Sequence, residues 1–155
     1  MRYLLIDRIT ALEPPTLARG VKCVSLSDDI FADHFPGHPV MPGALLVEAM
    51  AQLGGVLLEA TARQPGRPDF HALLTMADRV RFRQLVRPGD KLELEARNLG
   101  TSEDGGRVKV EVRLDGKLAA EAELGFAFTP VDHPRILQRR QEIWNVWLTG
   151  RADEP

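Results

Sequence analysis

The run Pro42-Gly43-Ala44-Leu45-Leu46-Val47-Glu48-Ala49-Met50-Ala51-Gln52-Leu53-Gly54-Gly55-Val56-Leu57-Leu58 decides the fold. With Val40 and Met41 ahead of it, it is long and apolar enough to span a bilayer, yet it carries Pro42-Gly43, Glu48, Gln52 and Gly54-Gly55. A carboxylate at the centre of a membrane helix is expensive. A helix that is apolar all round and not in lipid must be wrapped by protein. The run therefore reads as the buried central helix of a globular domain. Pro42 suits its start, because the missing proline N–H would have no partner in a first turn. The helix ends near residue 63, before the loop Gln64-Pro65-Gly66-Arg67-Pro68.

Such a helix needs a large apolar partner, and the downstream sequence supplies one. Residues 71–86 read as a strand, followed by a turn at Pro88-Gly89-Asp90. Leu92, Leu94 and Ala96 alternate with Glu93, Glu95 and Arg97, and Val108, Val110, Val112 and Leu114 alternate with Lys109, Glu111 and Arg113. Residues 118–128 repeat the pattern, with Glu121 and Glu123 on the wet side. Gly105-Gly106 and Asp115-Gly116 are hairpin signals between these runs. Upstream lie an apolar opening at residues 3–9, a break at Pro14-Pro15 and a strand at about 17–26. Asp28 to Gly43, with three prolines and two glycines, reads as a fixed, non-helical loop. An antiparallel sheet with one dry face, curved around one helix, follows as an α+β architecture for residues 1–130. Residues 131–155 form an extension in which Leu137, Trp144 and Leu148 share a stripe of an amphipathic helix over 135–148, capped by Gly150. It is expected to pack on the outer face of the sheet, or to serve as a dock for a partner.

The chain of 155 residues suits a single domain, and its net charge of −2 gives no support for binding nucleic acid or an anionic membrane through bulk charge. One cysteine, Cys23, excludes an internal disulfide and a cysteine-rich zinc site. His34 and His38 are four apart, but Pro36 and Pro39 forbid the helix that would aim both at one metal. No nucleophile-elbow, dinucleotide or P-loop pattern occurs. Met1 to Arg8 lacks a signal-peptide apolar region, so a cytoplasmic protein is expected.

The chemistry falls to a polar minority. Glu48 sits among apolar neighbours, and Gln52 one turn later shares its face. Desolvation there favours the neutral acid and suits a proton donor, though a structural ion pair would also explain the residue. His34 is fixed by the following Phe35-Pro36-Gly37 and suits proton abstraction near neutral pH; a bond to a backbone carbonyl is the plainer alternative. The helix start at Pro42-Gly43-Ala44 offers free N–H groups and a favourable dipole for a developing oxyanion.

The stretch from His34 to Gln52, His34-Phe35-Pro36-Gly37-His38-Pro39-Val40-Met41-Pro42-Gly43-Ala44 and onward, resembles the active-site signature of the β-hydroxyacyl-acyl-carrier-protein dehydratases, the FabZ/FabA-like hot-dog family. Similarity extends to Tyr3-Leu4-Leu5-Ile6-Asp7-Arg8, Arg81-Phe82-Arg83 and Val86-Arg87-Pro88-Gly89-Asp90. The resemblance implies a hot-dog fold assembled as a homodimer, with His34 of one subunit and Glu48 of the other in each site. It leaves open a trimer of dimers or a heterodimer. It implies loss of water from a (3R)-hydroxyacyl thioester on an acyl carrier protein, giving a trans-2-enoyl thioester. His34 would act as base, Glu48 as acid, the Gly43 N–H as thioester-oxygen donor and Gln52 as support. The acyl tunnel at the dimer seam would include Phe82 and Leu85. No metal or organic cofactor is implied. Glutamate at 48 resembles the branch that dehydrates without efficient isomerisation. Ala44 departs from the usual valine or cysteine, and the 131–155 extension has no counterpart in compact members. Arg79, Arg81, Arg83 and Arg87 are candidates for a basic patch facing an acidic carrier, or simply a solvated strand face. A hot-dog thioesterase and a non-catalytic subunit are the alternative readings.

Overall fold

A computed structural model describes residues 3–149. The elements in chain order are β1 (Arg8–Glu13), β2 (Leu17–Cys23), α1 (Ile30–Asp33), α2 (Gly43–Ala62), β3 (Phe70–Phe82), β4 (Lys91–Thr101), β5 (Gly105–Leu114), β6 (Lys117–Pro130) and α3 (Pro134–Leu148). The strands form one sheet in the order β1-β2-β4-β5-β6-β3, antiparallel at every pairing.

The period-2 alternation is realised in full on the inner face. Leu92, Leu94 and Ala96 of β4, Val108, Val110 and Val112 of β5, and Ala120, Ala122 and Leu124 of β6 are all buried. They pack on α2, where Met50, Leu53, Leu57 and Leu58 are fully enclosed. Helix α2 has the length and apolarity to cross a membrane, but here that apolar surface is the core. It touches every strand. Six strands at ~4.8 Å spacing span about 24 Å, against a helix ~10 Å across, so the sheet must curl around α2. This is the hot-dog arrangement. Gly54 allows the close approach: a Cβ there would stand 2.7 Å from Val108 Cγ2.

The outer face is a lattice of charge. Register sets Glu95 opposite Glu111 and Glu111 opposite Glu121, contacts that would repel on their own. Cations stand among them: Arg19 and Arg97 on Glu95, Lys109 and Arg113 on Glu111, Arg83 on Glu121, Arg79 and Arg107 on Glu123. Burial works to raise the Glu95 carboxyl, but its two arginines outweigh this and hold it below the usual carboxylate range. Arg79 and Arg83 of the suspected basic patch are thus spent on β6 carboxylates.

Several boundaries differ from the sequence reading. Strand β2 stops at Cys23, and Val24 turns inward with its N–H on Asp90 O. The opening segment leads into β1, and the 28–43 loop contains one helical turn, α1. Strand β3 ends at Phe82, where the Arg83 and Gln84 N–H groups both turn to Ala119 O. Asp115-Gly116 is the expected hairpin turn, with φ of 50° and 79°. Gly105-Gly106 instead opens β5, and a Cβ on Gly105 would meet Phe126 O at 2.1 Å, so the pair serves strand contact rather than the turn.

Helix α3 is not on the outer face. Its Arg140 pairs with Glu59 of α2, and Trp147 Nε1 donates to Ile6 O at 2.7 Å, which places α3 on the helix side of the sheet. The physical reason is Glu59: a buried carboxylate in an apolar helix needs a cation, and α3 brings one. The expected cap at Gly150 lies outside the described residues.

Candidate active site

His34 closes α1 and begins a loop tied at both ends. Its N–H donates to Ile30 O at 3.0 Å, and the Val40 N–H returns to His34 O at 2.9 Å. His34 Nδ1 stands 2.7 Å from Val40 O. A carbonyl only accepts, so Nδ1 carries the proton and the neutral ring presents Nε2 with its lone pair, as a base requires. The bond to a backbone carbonyl, the plainer of the two sequence alternatives for His34, is present, and it orients the ring. Phe35 stacks on it with centroids 4.1 Å apart.

Helix α2 starts just past this loop. The Leu45 and Leu46 N–H groups bond Pro42 O, leaving those of Gly43 and Ala44 at the helix mouth without an intrahelical acceptor. The Phe82 ring lies over Gly43, where a Cβ would be only 2.8 Å from Cζ. Only a glycine leaves this backbone open beside the ring. Leu85 is well exposed close in sequence to Val86, whose carbonyl accepts the Met41 N–H.

Glu48 and Gln52 occupy one face of α2, as their spacing requires. Gln52 Nε2 donates to Glu48 Oε1 at 3.0 Å and to Tyr3 O at 3.1 Å, while Gln52 Oε1 accepts the Leu5 N–H at 2.9 Å. One amide thus pins the N-terminal segment to the helix and steadies the carboxylate. Tyr3 adds its hydroxyl: the Glu48 charge, then burial, then a hydrogen bond to Glu48 raise its pKa above the ordinary phenol value. Sequence reasoning missed Tyr3, which lies 45 positions away from Glu48 and carries no spacing signal.

A cavity of about 350 Å³ runs along this face of α2, past Glu48, Gln52, Gly55 and Val56, to Glu59. Its other walls are Tyr3 and Leu4, the start of β3 from His71 to Leu74, Phe126, and α3. Glu59 was also missed, although it follows Gln52 by seven residues and so falls on the same face. It is buried, accepts the Ala72 N–H at 2.8 Å, pairs with Arg140, and has His71 Nδ1 at 3.7 Å. Within one chain the cavity takes in Glu48 and Gln52; His34, Gly43, Phe82 and Leu85 are not among its described lining. It reaches the edge of the sheet at β3, whose outer side pairs with no other described strand and exposes Leu73, Leu74 and Met76.

The fold is that of a hot-dog protein, and the chain belongs to the FabA-like domain family, whose model matches residues 1–123. The chain is 46% identical to the 3-hydroxyacyl-[acyl-carrier-protein] dehydratase FabZ of Bacillus velezensis over 125 residues, which is 81% of this chain and 86% of that one. It is 43% identical to the protein of the same name from Protochlamydia amoebophila, over 86% of this chain and 84% of that one. Among solved structures, a dehydratase heterocomplex, ApeI:P of Xenorhabdus doucetiae, superposes with a TM-score of 0.68 at 18% identity, covering 89% of this chain and 90% of that one. A Streptococcus mutans protein bound to acetyl CoA gives 0.65 at 15% identity, covering 86% and 96%. At these identities the structural matches establish the fold alone.

Proposed function

We propose that the protein is a 3-hydroxyacyl-[acyl-carrier-protein] dehydratase of fatty acid biosynthesis, a cytoplasmic lyase working as a homodimer. The dehydratase relatives at 40–46% identity support the reaction, and the placement of Glu48 carries the mechanism. It lines an apolar cavity that reaches β3, the edge strand of the sheet among the described residues, while His34 of the same chain lies outside that cavity. A second copy added along β3 extends the sheet, covers Leu73, Leu74 and Met76, and brings its own His34 to Glu48.

In the assembled site the thioester carbonyl accepts the Gly43 N–H at the α2 mouth. His34 Nε2 takes the C2 proton, and negative charge moves onto the carbonyl oxygen, where the N–H and the helix dipole stabilise it. Glu48 gives its proton to the C3 hydroxyl, the C3–O bond breaks and water leaves. The 2-enoyl thioester remains, with His34 protonated and Glu48 ionised, and one proton transfer between them through solvent restores the starting state. Gln52 holds the carboxyl in line. Glutamate at 48 supports dehydration without efficient isomerisation.

An assay with a 3-hydroxyacyl thioester that follows enoyl absorbance and free thiol together tests the reading. Enoyl product without thiol is expected, and thiol release without enoyl product would make the protein a thioesterase. His34→Ala and Glu48→Gln should each lower kcat by about 10²–10⁴-fold while circular dichroism shows the fold retained, because each removes one proton transfer.

A further inference from the structure

Helix α3 lies beyond residue 123, where the family match ends, yet it walls the cavity that holds Glu48. Its seat is specific. Arg140 pairs with the buried Glu59 and also donates to Phe70 O at 2.9 Å, while Trp147 is bonded to Ile6 O. With the Ala72 N–H on one oxygen and Arg140 on the other, Glu59 offers the cavity a satisfied ion pair, not a free acid. Trp144 stands beside that pair, with the Arg63 guanidinium 5.1 Å from its ring centre.

The floor between the two acids suits a hydrocarbon. Glu48 and Glu59 are eleven residues apart on α2, roughly 16 Å at the helical rise. Gln52 lines the interval with its amide already bonded to Glu48, Tyr3 and Leu5, and Ala51, Gly55 and Val56, small or apolar, make up the rest. An acyl tail entering at Glu48 passes over them and then meets an indole and a buried ion pair. Going further means displacing a packed ring or stripping charged groups of their partners, and neither is repaid by burying more methylenes.

We propose that α3 is a chain-length stop, with Trp144 as the specificity-determining residue that meets the terminal methyl of the acyl chain. The inference rests on the dehydratase reading, which sets the C3 hydroxyl at Glu48, and it takes the cavity along α2 as the path of the tail.

The chain's two tryptophans both line the cavity, so Trp147 reports on its filling when Trp144 is replaced. Saturated acyl-pantetheine thioesters of four to sixteen carbons, which have no hydroxyl to lose, are titrated against the intact protein, Trp144→Ala and Trp144→Phe. Affinity in the unaltered protein should climb with length and then level off. In Trp144→Ala the ceiling should move to longer chains, raising the ratio of longest- to shortest-chain affinity about tenfold or more, the scale that a few methylenes command in an apolar pocket. Trp144→Phe, which keeps a ring, should hold the ceiling near its original length. Ile143→Ala trims the same wall and gives the same direction of change, so the test survives if Trp144→Ala fails to fold. Turnover of the matching 3-hydroxyacyl series separates the two levels of the argument. If enoyl product forms but the wall variants keep the original length profile, α3 is no stop and the dehydratase reading stands. If no chain length gives enoyl product, the dehydratase reading falls and takes this inference with it.

Discussion

His34 shows how a single backbone carbonyl sets chemistry. Val40 O fixes the proton on Nδ1 and thereby the lone pair on Nε2, so the loop that looks merely structural assigns the tautomer a base needs. Gln52 plays a similar part for the proposed acid. It bridges Glu48, Tyr3 and Leu5, so replacing it disturbs both the carboxylate and the segment that roofs the cavity. Gln52→Leu leaves the Leu5 N–H without its acceptor and should cost about 1–3 kcal/mol of stability. It should also lower kcat. Gln52→Glu, which retains an acceptor for Leu5 but sets a like charge beside Glu48, should fold better than Gln52→Leu and have a shifted pH–rate profile. Chemical denaturation and kcat measured across pH together check this pair.

At the scale of elements, two contacts hold the site's scaffold. Gly54 lets α2 press on β5, and Gly54→Ala drives a methyl into Val108. The misfit should cost about 1–3 kcal/mol, the range for overpacking a close-packed core, and Gly54→Ala with Val108→Ala should recover part of it. Thermal melts of the two single variants and the double variant decide. The second contact is the Glu59–Arg140 pair that seats α3. Arg140→Leu strands a buried carboxylate and should destabilise by about 3–5 kcal/mol. Adding Glu59→Gln removes the charge while keeping an oxygen for the Ala72 N–H, so the double variant should be the more stable of the two.

For the whole molecule the decisive matter is whether each proposed site draws its His34 from one chain and its Glu48 from another. If sites are shared, His34→Ala and Glu48→Gln should complement each other. Each mixed dimer then contains one intact site, built from the His34 of one subunit and the Glu48 of the other. Random mixing makes half the dimers mixed, so activity should return to about a quarter of the wild-type level after co-refolding. A mixture as inactive as its components would place both groups of each site in one chain. Leu74→Arg, on the exposed side of β3, should yield a monomer by light scattering and lose turnover with it.

How much of this was legible beforehand follows from the range of each interaction. Helix α2, the alternation in β4 to β6 and the Asp115-Gly116 turn depend on neighbours within a few residues, and the sequence displays them directly. The 34–52 signature named the family for the same reason: its chemistry lies on one short segment. Contacts between distant parts of the chain left no such trace. Glu59 reads as one more helix residue until α3 folds back with Arg140, and Gly105-Gly106 reads as a turn until β6 is seen lying against it. The side of the sheet that α3 covers, the Tyr3 hydroxyl against Glu48, and the separation of His34 from the Glu48 cavity were decided only in three dimensions. Periodicity records which face of an element is dry, but not which other element will cover it.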